Sequence, residues 1–224
     1  MAYFLKFIWE KKLKNKKIVL LSLVVLVSIF AGARYMYNIN ESKELTAIAK
    51  NKASVFKRDY SYTQGDNNAK VQLVEFFDPA CETCAQFHPY IKDIMKENKG
   101  NIQLVLRYAP LHPGSDQVVK MLEATKKQGL FMKTLEMTFA TQKYWASHNQ
   151  PNLNALWKAL PSVGLDMEQL IKDMKDPKLN EIVAQEIADA KTLGATKTPS
   201  YYVNGKPLQK FGLKELKELI NSEL

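Results

Sequence analysis

Hydrophobic residues cluster most strongly near the amino terminus of the chain. Residues 18–33 carry no charged side chain, and Arg34, Tyr35 and Tyr37 follow this run. The run is shorter than the ~20 residues that span a bilayer as a helix, but an arginine can extend to the lipid headgroups and tyrosines favour the same interface. We therefore predict one transmembrane anchor over residues 18–37, preceded by a basic arm over residues 1–17.

The charges beside this run predict its orientation. Six lysines precede it, namely Lys6, Lys11, Lys12, Lys14, Lys16 and Lys17. Because positively charged flanks stay in the cytoplasm, we expect a cytoplasmic amino terminus and an exported remainder. A signal peptide cleaved after Ala33 is the alternative, since Ala31, Gly32 and Ala33 match a small-residue cleavage site. Either interpretation delivers the rest of the chain to an oxidising compartment.

The net charge of +9 on 224 residues first suggests a nucleic-acid partner. However, seven of the 32 basic residues and one of the 23 acidic residues lie within residues 1–38. Most of the excess charge therefore adjoins the membrane anchor, and no basic stripe interleaved with aromatics follows. We expect a membrane protein with no nucleic-acid partner.

Residues 38–69 are mostly polar and predict a linker. Leu45, Ile48, Ala49 and Phe56 fall near one face of a helix, so part of this linker is expected to be helical. Such a helix holds the following domain away from the membrane or, alternatively, forms a homo-oligomer with a second copy of the chain.

Beyond residue 69 the hydrophobic pattern alternates between periods typical of strands and of helices. The predicted elements are, in chain order, a buried strand over Val71–Phe77, a helix from Cys84 to about Asn98, a buried strand over Ile102–Tyr108, a helical region from about Ser115 to Leu193, a hairpin around Asn204 and Gly205, and an amphipathic helix bearing Leu213, Leu216, Leu219 and Ile220. The strand, helix and strand at the start form a βαβ unit. This order is typical of an α/β domain.

The only two cysteines, Cys81 and Cys84, directly follow the first of these strands. At the amino terminus of a helix, backbone N–H groups and the helix dipole favour the thiolate form of Cys81. We expect Cys81 to be the exposed nucleophile and Cys84, one turn later and facing inward, to be the resolving thiol. A structural disulfide is the alternative, but a loop this short constrains the unfolded chain little.

The three histidines raise a metal-binding alternative. His88, His112 and His148 together with the two thiols offer the ligand types that bind copper or zinc. These histidines lie in separate segments, and we expect His88 on a helix surface and His112 in a loop. We therefore assign no metal site.

Two runs of the sequence resemble a known family. Val74–Cys84 reads VEFFDPACETC and Thr198–Gly205 reads TPSYYVNG. Both are similar to DsbA-like thiol–disulfide oxidoreductases of the thioredoxin superfamily, with a resemblance that covers about residues 71–224. It implies a thioredoxin fold over residues 70–224, interrupted by a helical insertion at about residues 115–178. It also implies a protein of the bacterial inner membrane whose catalytic domain lies in the periplasm.

The same resemblance assigns roles to further residues. It implies that Pro199 is a cis-proline facing the dithiol, and that Thr198 and Pro199 bind the extended backbone of a substrate. It also places Glu75 as a buried acid beneath the dithiol. A carboxyl group in this apolar strand should have a raised pKa suited to moving a proton to or from Cys84.

The residues between the cysteines depart from the pattern of the strongly oxidising members, which carry a histidine there. This chain has Glu82 and Thr83, which we expect to tune the active site. A carboxylate beside Cys81 should disfavour its thiolate. Because a stabilised reduced form makes a strong oxidant, we predict a less oxidising pair that leans toward isomerase or reductase behaviour.

These inferences predict an exported, membrane-anchored enzyme that exchanges disulfides with cysteine-containing proteins. We expect no bound cofactor, because the redox-active group is the Cys81–Cys84 pair itself. A membrane redox partner is expected to reoxidise or reduce this pair. The alternatives are a membrane-tethered copper or zinc module that uses the same thiols and a redox-inert assembly protein.

Overall fold

A computed structural model describes residues 19–40, 53–147 and 149–224, which fall into two compact units divided after residue 44. In the first unit, helix α1 covers Val19–Asn40 and is long and apolar enough to cross a membrane. It contains nearly all of the predicted anchor and continues past Ala33, the residue before the alternative cleavage site. The basic arm lies outside the described residues.

The second unit contains the remaining described elements. They are α2 (Ala53–Phe56), β1 (Tyr62–Gln64), β2 (Val71–Phe77), α3 (Glu82–Glu97), β3 (Ile102–Tyr108), α4 (Ser115–Thr125), α5 (Phe131–Ala140), α6 (Gln142–Trp145), α7 (Leu153–Ala159), α8 (Met167–Asp173), α9 (Lys178–Leu193), β4 (Ser200–Val203), β5 (Lys206–Pro207) and α10 (Leu213–Asn221). Short 3-10 turns cover Lys126–Gln128 and Leu160–Val163.

One mixed sheet organises this unit, with strand order β1-β3-β2-β4-β5. Strands β2 and β3 are parallel and joined by α3, as the apolar runs predict, whereas β4 is antiparallel to β2. Because side chains alternate across a strand, the two faces of the sheet bury separate cores. Leu73 and Phe77 of β2 belong to the core that includes residues of α3, whereas Val74 and Phe76 belong to a second core that includes only the last part of α9, at Ala190 and Leu193. Glu75 therefore points to the same face as α3.

The linker prediction was wrong for residues 53–69, which form part of the folded unit. Strand β1 pairs antiparallel with β3 at the edge of the sheet. Phe56 is buried and packs its ring edge-on against Tyr202, with ring centroids 5.3 Å apart. A three-residue edge strand has too few positions to show a hydrophobic period, so β1 could not be predicted from the sequence pattern. Leu45, Ile48 and Ala49 lie outside the described residues.

Helices α4 to α8 lie between β3 and α9, where the sequence predicts a helical insertion. Glycines with positive φ end the 3-10 turns at Gly129 and Gly164, since glycine adopts the left-handed conformation at little cost. Helix α4 packs against both α5 and α9 and connects the insertion to the sheet.

The face of the sheet opposite α3 contains a buried ion-pair network. Arg107 of β3 is fully buried and lies 2.8 Å from a carboxylate oxygen of Glu186 and 2.6 Å from one of Asp189. Arg107 also donates a hydrogen bond to the backbone carbonyl of Val55. Arg58 forms a second pair with Asp189 at 2.6 Å. These bonds compensate the charges that burial would otherwise make unfavourable.

Candidate active site

The two cysteines lie where β2 passes into α3. Cys81 is the N-cap residue of α3, with an extended backbone, and its sulfur accepts a hydrogen bond from the backbone N–H of Cys84 at 3.4 Å. Both thiols are free, and Cys84 is fully buried as expected. The expectation that Cys81 is exposed was wrong, because only 6% of this residue is accessible. The loop that contains Thr198 covers it.

The surroundings of Cys81 favour its thiolate form. Hydrogen bonding from the Cys84 thiol is the largest effect that lowers the pKa of Cys81. Thr198 and the backbone N–H groups of Cys84 and Thr83 act in the same direction. They outweigh partial burial and bring this pKa to about 6. A large fraction of Cys81 is therefore a thiolate at neutral pH, and the thiolate is the reactive form of a cysteine.

The Thr198–Pro199 peptide bond is cis, as the resemblance implies. In its protonated form the Cys81 thiol donates a hydrogen bond to the backbone carbonyl of Thr198, with the sulfur 3.3 Å from the oxygen. Strand β4 begins directly after Pro199 and pairs with β2, which brings the two motifs together although 117 positions separate Cys81 from Thr198.

Burial keeps two groups near Cys81, the Cys84 thiol and the Glu75 carboxyl, mostly in their neutral forms. Burial is the main cause that raises the pKa of Cys84 well above its usual range. Glu75 is 2% exposed and accepts a hydrogen bond from the Tyr201 hydroxyl at 3.1 Å. Burial raises the pKa of Glu75 to about 8, against the opposing effect of this hydrogen bond. Glu75 is therefore mostly protonated at pH 7.

The predicted tuning residues occupy the first turn of α3. Glu82 is the first residue of the helix and is exposed, and Thr83 is half-buried. A carboxylate interacts favourably with a helix amino terminus, while its charge opposes a thiolate at the neighbouring residue. The effect of Glu82 on the redox pair thus depends on the balance between these two interactions.

Sequence reasoning missed Asp78, the residue that orders the loop before Cys81. Its fully buried carboxylate accepts hydrogen bonds from the backbone N–H groups of Ala80 at 2.8 Å, Leu111 at 2.6 Å and His112 at 2.9 Å. It also contacts the Ser115 hydroxyl at 2.5 Å and His112 Nδ1 at 2.8 Å. The available signal was an acidic residue placed directly after a buried strand and before Pro79.

A second missed residue is Gln142, which is 7% exposed. Its side-chain amide donates hydrogen bonds to the backbone carbonyls of Pro79 and Cys81. No local pattern distinguishes this glutamine from others in the insertion, because its partners lie some 60 positions away along the chain.

The histidines occupy different environments. His88 is 8% exposed, so the prediction of a surface position was wrong; α3 turns it toward Phe139 of α5. Its Nε2 lies 3.9 Å from Glu136 Oε1. His112 lies in the loop that binds Asp78, and His148 is outside the described residues. Within the described ranges, no three His, Cys, Asp or Glu residues are grouped so as to hold a metal ion.

The buried Glu75 generates a testable pH dependence. Its pKa is about 8 in the folded protein and about 4.3 in an unfolded chain, so its contribution to stability is present below pH ~4 and lost as the pH rises toward 8. Glu75→Gln removes this loss. We expect the variant to exceed the parent in free energy of unfolding by about 2–4 kcal/mol at pH 8, and by much less at pH 5.

Urea denaturation of the reduced full chain in detergent, at both pH values, measures this difference. Glu97→Gln is the matched control on α3, because the Glu97 side chain is 59% exposed. It should change stability by less than about 0.5 kcal/mol at either pH. A Glu75→Gln effect that does not grow with pH would show that Glu75 ionises normally.

Comparison with known proteins identifies the family of this chain. The family model described as Thioredoxin matches residues 57–222. Over 151 residues the chain is 28% identical to the Na(+)/H(+) antiporter NhaA of Herminiimonas arsenicoxydans, a match that covers 67% of this chain and 23% of the antiporter. The chain thus spans about a quarter of the length of the curated relatives it matches.

Solved structures show the same fold. A thioredoxin-like oxidoreductase from Silicibacter pomeroyi DSS-3 is 26% identical with a TM-score of 0.65, covering 76% of this chain and 96% of that one. The thiol-disulfide exchange protein alpha-DsbA2 from Wolbachia pipientis is 16% identical with a TM-score of 0.67, covering 81% and 96%. The predicted thioredoxin fold is confirmed, and the resemblance to DsbA-like proteins is confirmed as a resemblance of fold. With the family model matching most of its length, the chain belongs to the thioredoxin family.

Proposed function

We propose that this protein is a membrane-anchored, extracytoplasmic thiol–disulfide oxidoreductase that acts on cysteine-containing proteins through Cys81 and Cys84. The observation that carries the proposal is the position of the Cys81 sulfur. It lies at the amino terminus of α3 and directly against the carbonyl of Thr198, next to cis-Pro199. The names of the solved relatives, an oxidoreductase and a thiol-disulfide exchange protein, agree with this class.

The site supports exchange in both directions. When it reduces a substrate, the Cys81 thiolate attacks a substrate sulfur, the substrate disulfide breaks and its second sulfur leaves as a thiol. Cys84 then loses its proton and attacks the Cys81 sulfur, which forms the Cys81–Cys84 disulfide and releases the other substrate thiol. In the oxidising direction a substrate thiolate attacks Cys81, and Cys84 leaves and takes a proton. Glu75 supplies or accepts that proton, for which a pKa of about 8 is well suited.

Protein substrates are favoured by the surface around the dithiol. The backbone beside cis-Pro199 is extended and leads into β4, so Thr198 and Pro199 are placed to pair with an extended peptide. Phe87 of α3 lies beside Tyr90 and Phe211, which are about half-exposed. Their apolar area suits the unfolded segments that present cysteines for exchange.

We expect Cys81→Ser to abolish turnover, because the serine hydroxyl cannot form a disulfide. Cys84→Ala should instead accumulate mixed disulfides, because the resolving thiol is gone. Reduction of insulin by the full chain measures turnover, and non-reducing electrophoresis followed by mass spectrometry identifies trapped partners. Intact turnover in Cys81→Ser would contradict the proposal. Zinc or copper bound in stoichiometric amounts after purification under reducing conditions would favour the metal module instead.

The reduction potential of the Cys81–Cys84 pair depends in part on the pKa of Cys81. At about 6, it lies between the pKa of the attacking cysteine in thioredoxin, about 7, and that in DsbA, about 3.5. A less stabilised thiolate makes a weaker oxidant than DsbA. We therefore retain the proposal, made from Glu82, that this pair leans toward isomerase or reductase behaviour.

Equilibration of the full chain with a glutathione redox series, read by thiol alkylation, measures the potential. We expect a value between about −270 and −120 mV, the range from thioredoxin to DsbA. Glu82→Gln should raise it by about 10–20 mV, since removing one charge near a helix terminus is worth about 0.3–1 kcal/mol. Glu97→Gln, at the other end of α3, should not change it. A parent value at or above about −120 mV would contradict the inference from Glu82.

The location is proposed from α1 and the lysines before it. We propose that α1 is retained in the bacterial inner membrane, with the amino terminus in the cytoplasm and the domain in the periplasm. There a membrane redox partner would reset the Cys81–Cys84 pair, and the linker helix is the segment through which two copies would associate.

Carbonate extraction and thiol labelling test this topology. The chain should remain in the carbonate-washed membrane, and a membrane-impermeant maleimide should label Cys81 in intact spheroplasts after reduction. Cys81→Ser provides the unlabelled control, because Cys84, whose pKa burial raises well above its usual range, should react slowly. A soluble chain shortened by its first 33 residues would favour the signal peptide, and labelling only after lysis would contradict the orientation.

A further inference from the structure

The helical insertion reaches the redox centre through one side chain. Gln142, the first residue of α6, directs its Nε2 at two backbone carbonyls of the active-site loop, Pro79 at 2.8 Å and Cys81 at 3.0 Å. One amide group therefore bridges the residues on either side of Ala80. The bridge is buried, since Pro79, Cys81 and Gln142 are all shielded from solvent.

The base of this side chain is itself held in place. Trp145, at the other end of α6, is 1% exposed, and its indole N–H donates a hydrogen bond to the Thr138 carbonyl of α5 at 3.0 Å. Thr138 in turn bonds the Thr134 carbonyl one turn earlier. The short helix α6 is thus fixed to α5, and Gln142 projects from a rigid support.

The active-site loop is hydrogen-bonded by two side chains, Asp78 and Gln142. Asp78 binds the Ala80 N–H through its carboxylate, while the Cys81 N–H bonds the Asp78 carbonyl. These two bonds give partners to the N–H groups of the loop. Gln142 satisfies acceptors, the carbonyls of Pro79 and Cys81, from the side of the insertion. Removing it would take this donor from the buried Pro79 carbonyl, which costs free energy until the loop moves, whereas the Cys81 carbonyl would keep its hydrogen bond from the Ala85 N–H at 3.2 Å.

We propose that Gln142 is a positioning residue through which the helical insertion fixes the backbone on both sides of Cys81 and keeps the nucleophilic sulfur at the amino terminus of α3. The inference rests on the proposed function in taking Cys81 as the nucleophile. It assigns the insertion a role in setting the reactivity of the redox pair, in addition to enlarging the fold. A shift of a few tenths of an ångström in this loop alters the 3.4 Å contact between the Cys81 sulfur and the Cys84 N–H.

The chain offers a matched control in the same insertion. Gln128 also makes two side-chain hydrogen bonds to backbone: its Nε2 donates to the Asp166 carbonyl at 3.0 Å, and its Oε1 accepts from the Asp166 N–H at 2.9 Å. These bonds join the turn after α4 to the start of α8. Replacing Gln128 therefore removes the same number of side-chain hydrogen bonds, here solvent-exposed, at a place that does not contact the active-site loop.

The experiment compares Gln142→Met, Gln142→Glu and Gln128→Met in the reduced full chain in detergent. Methionine keeps the length of the side chain and removes its donors, whereas glutamate keeps its shape. The rate of Cys81 alkylation by iodoacetamide is followed by mass spectrometry from pH 4 to 9, and thermal unfolding is recorded in parallel. We expect both Gln142 variants to alkylate about three- to tenfold more slowly at pH 6, with the midpoint of the pH profile moved upward. Gln128→Met should reproduce the parent profile.

A Gln142→Met profile that superimposes on that of the parent, with only the unfolding temperature lowered, would overturn the proposal. So would failure of both Gln142 variants to fold, because the residue would then be needed for the structure as a whole. Alkylation reports the Cys81 thiolate whether or not the protein exchanges disulfides with others. A chain that lacks insulin reductase activity but shows the predicted shift would therefore contradict the proposed function and leave this inference standing.

Discussion

The buried carboxylate of Asp78 is the interaction on which the geometry of the active site depends. It collects hydrogen bonds from Ala80 in the loop before Cys81 and from Leu111, His112 and Ser115 at the start of the insertion. A buried charge persists only with such compensation, so these two segments cannot move independently without exposing or stranding it. These hydrogen bonds therefore fix the start of α3 and, with it, the position of the Cys81 sulfur.

The neighbouring ionisable groups of the site have pKa values that are shifted in opposite directions. The pKa of Cys81 falls, while the pKa values of Cys84, Glu75 and Tyr201 rise. Burial disfavours each charged form, and the first negative charge makes the next one less favourable. At neutral pH these four groups together therefore carry about one negative charge, which lies on the Cys81 sulfur. Cys84, Glu75 and Tyr201 remain mostly neutral.

The sequence predicted the parts of this site that depend on local pattern. The apolar runs of β2 and β3 and the cysteines at the start of α3 follow from hydrophobic periodicity and motif, whereas the burial of Glu75 was implied by the family resemblance. Strand β1 was missed because its place is fixed by pairing with β3 rather than by its own three residues. The roles of Asp78 and Gln142 were missed because each is defined by partners some 30 to 60 positions away. Local pattern does not contain that information.

The ion pairs on the face of the sheet opposite α3 fix the segment that precedes β1. Arg58 binds Asp189 of α9, and Arg107 binds the Val55 carbonyl. Both contacts lie on the face opposite α3. The contacts that hold residues 55–58 and the hydrogen bonds that hold the Cys81 sulfur therefore share no residue, and each set lies on its own face of the sheet.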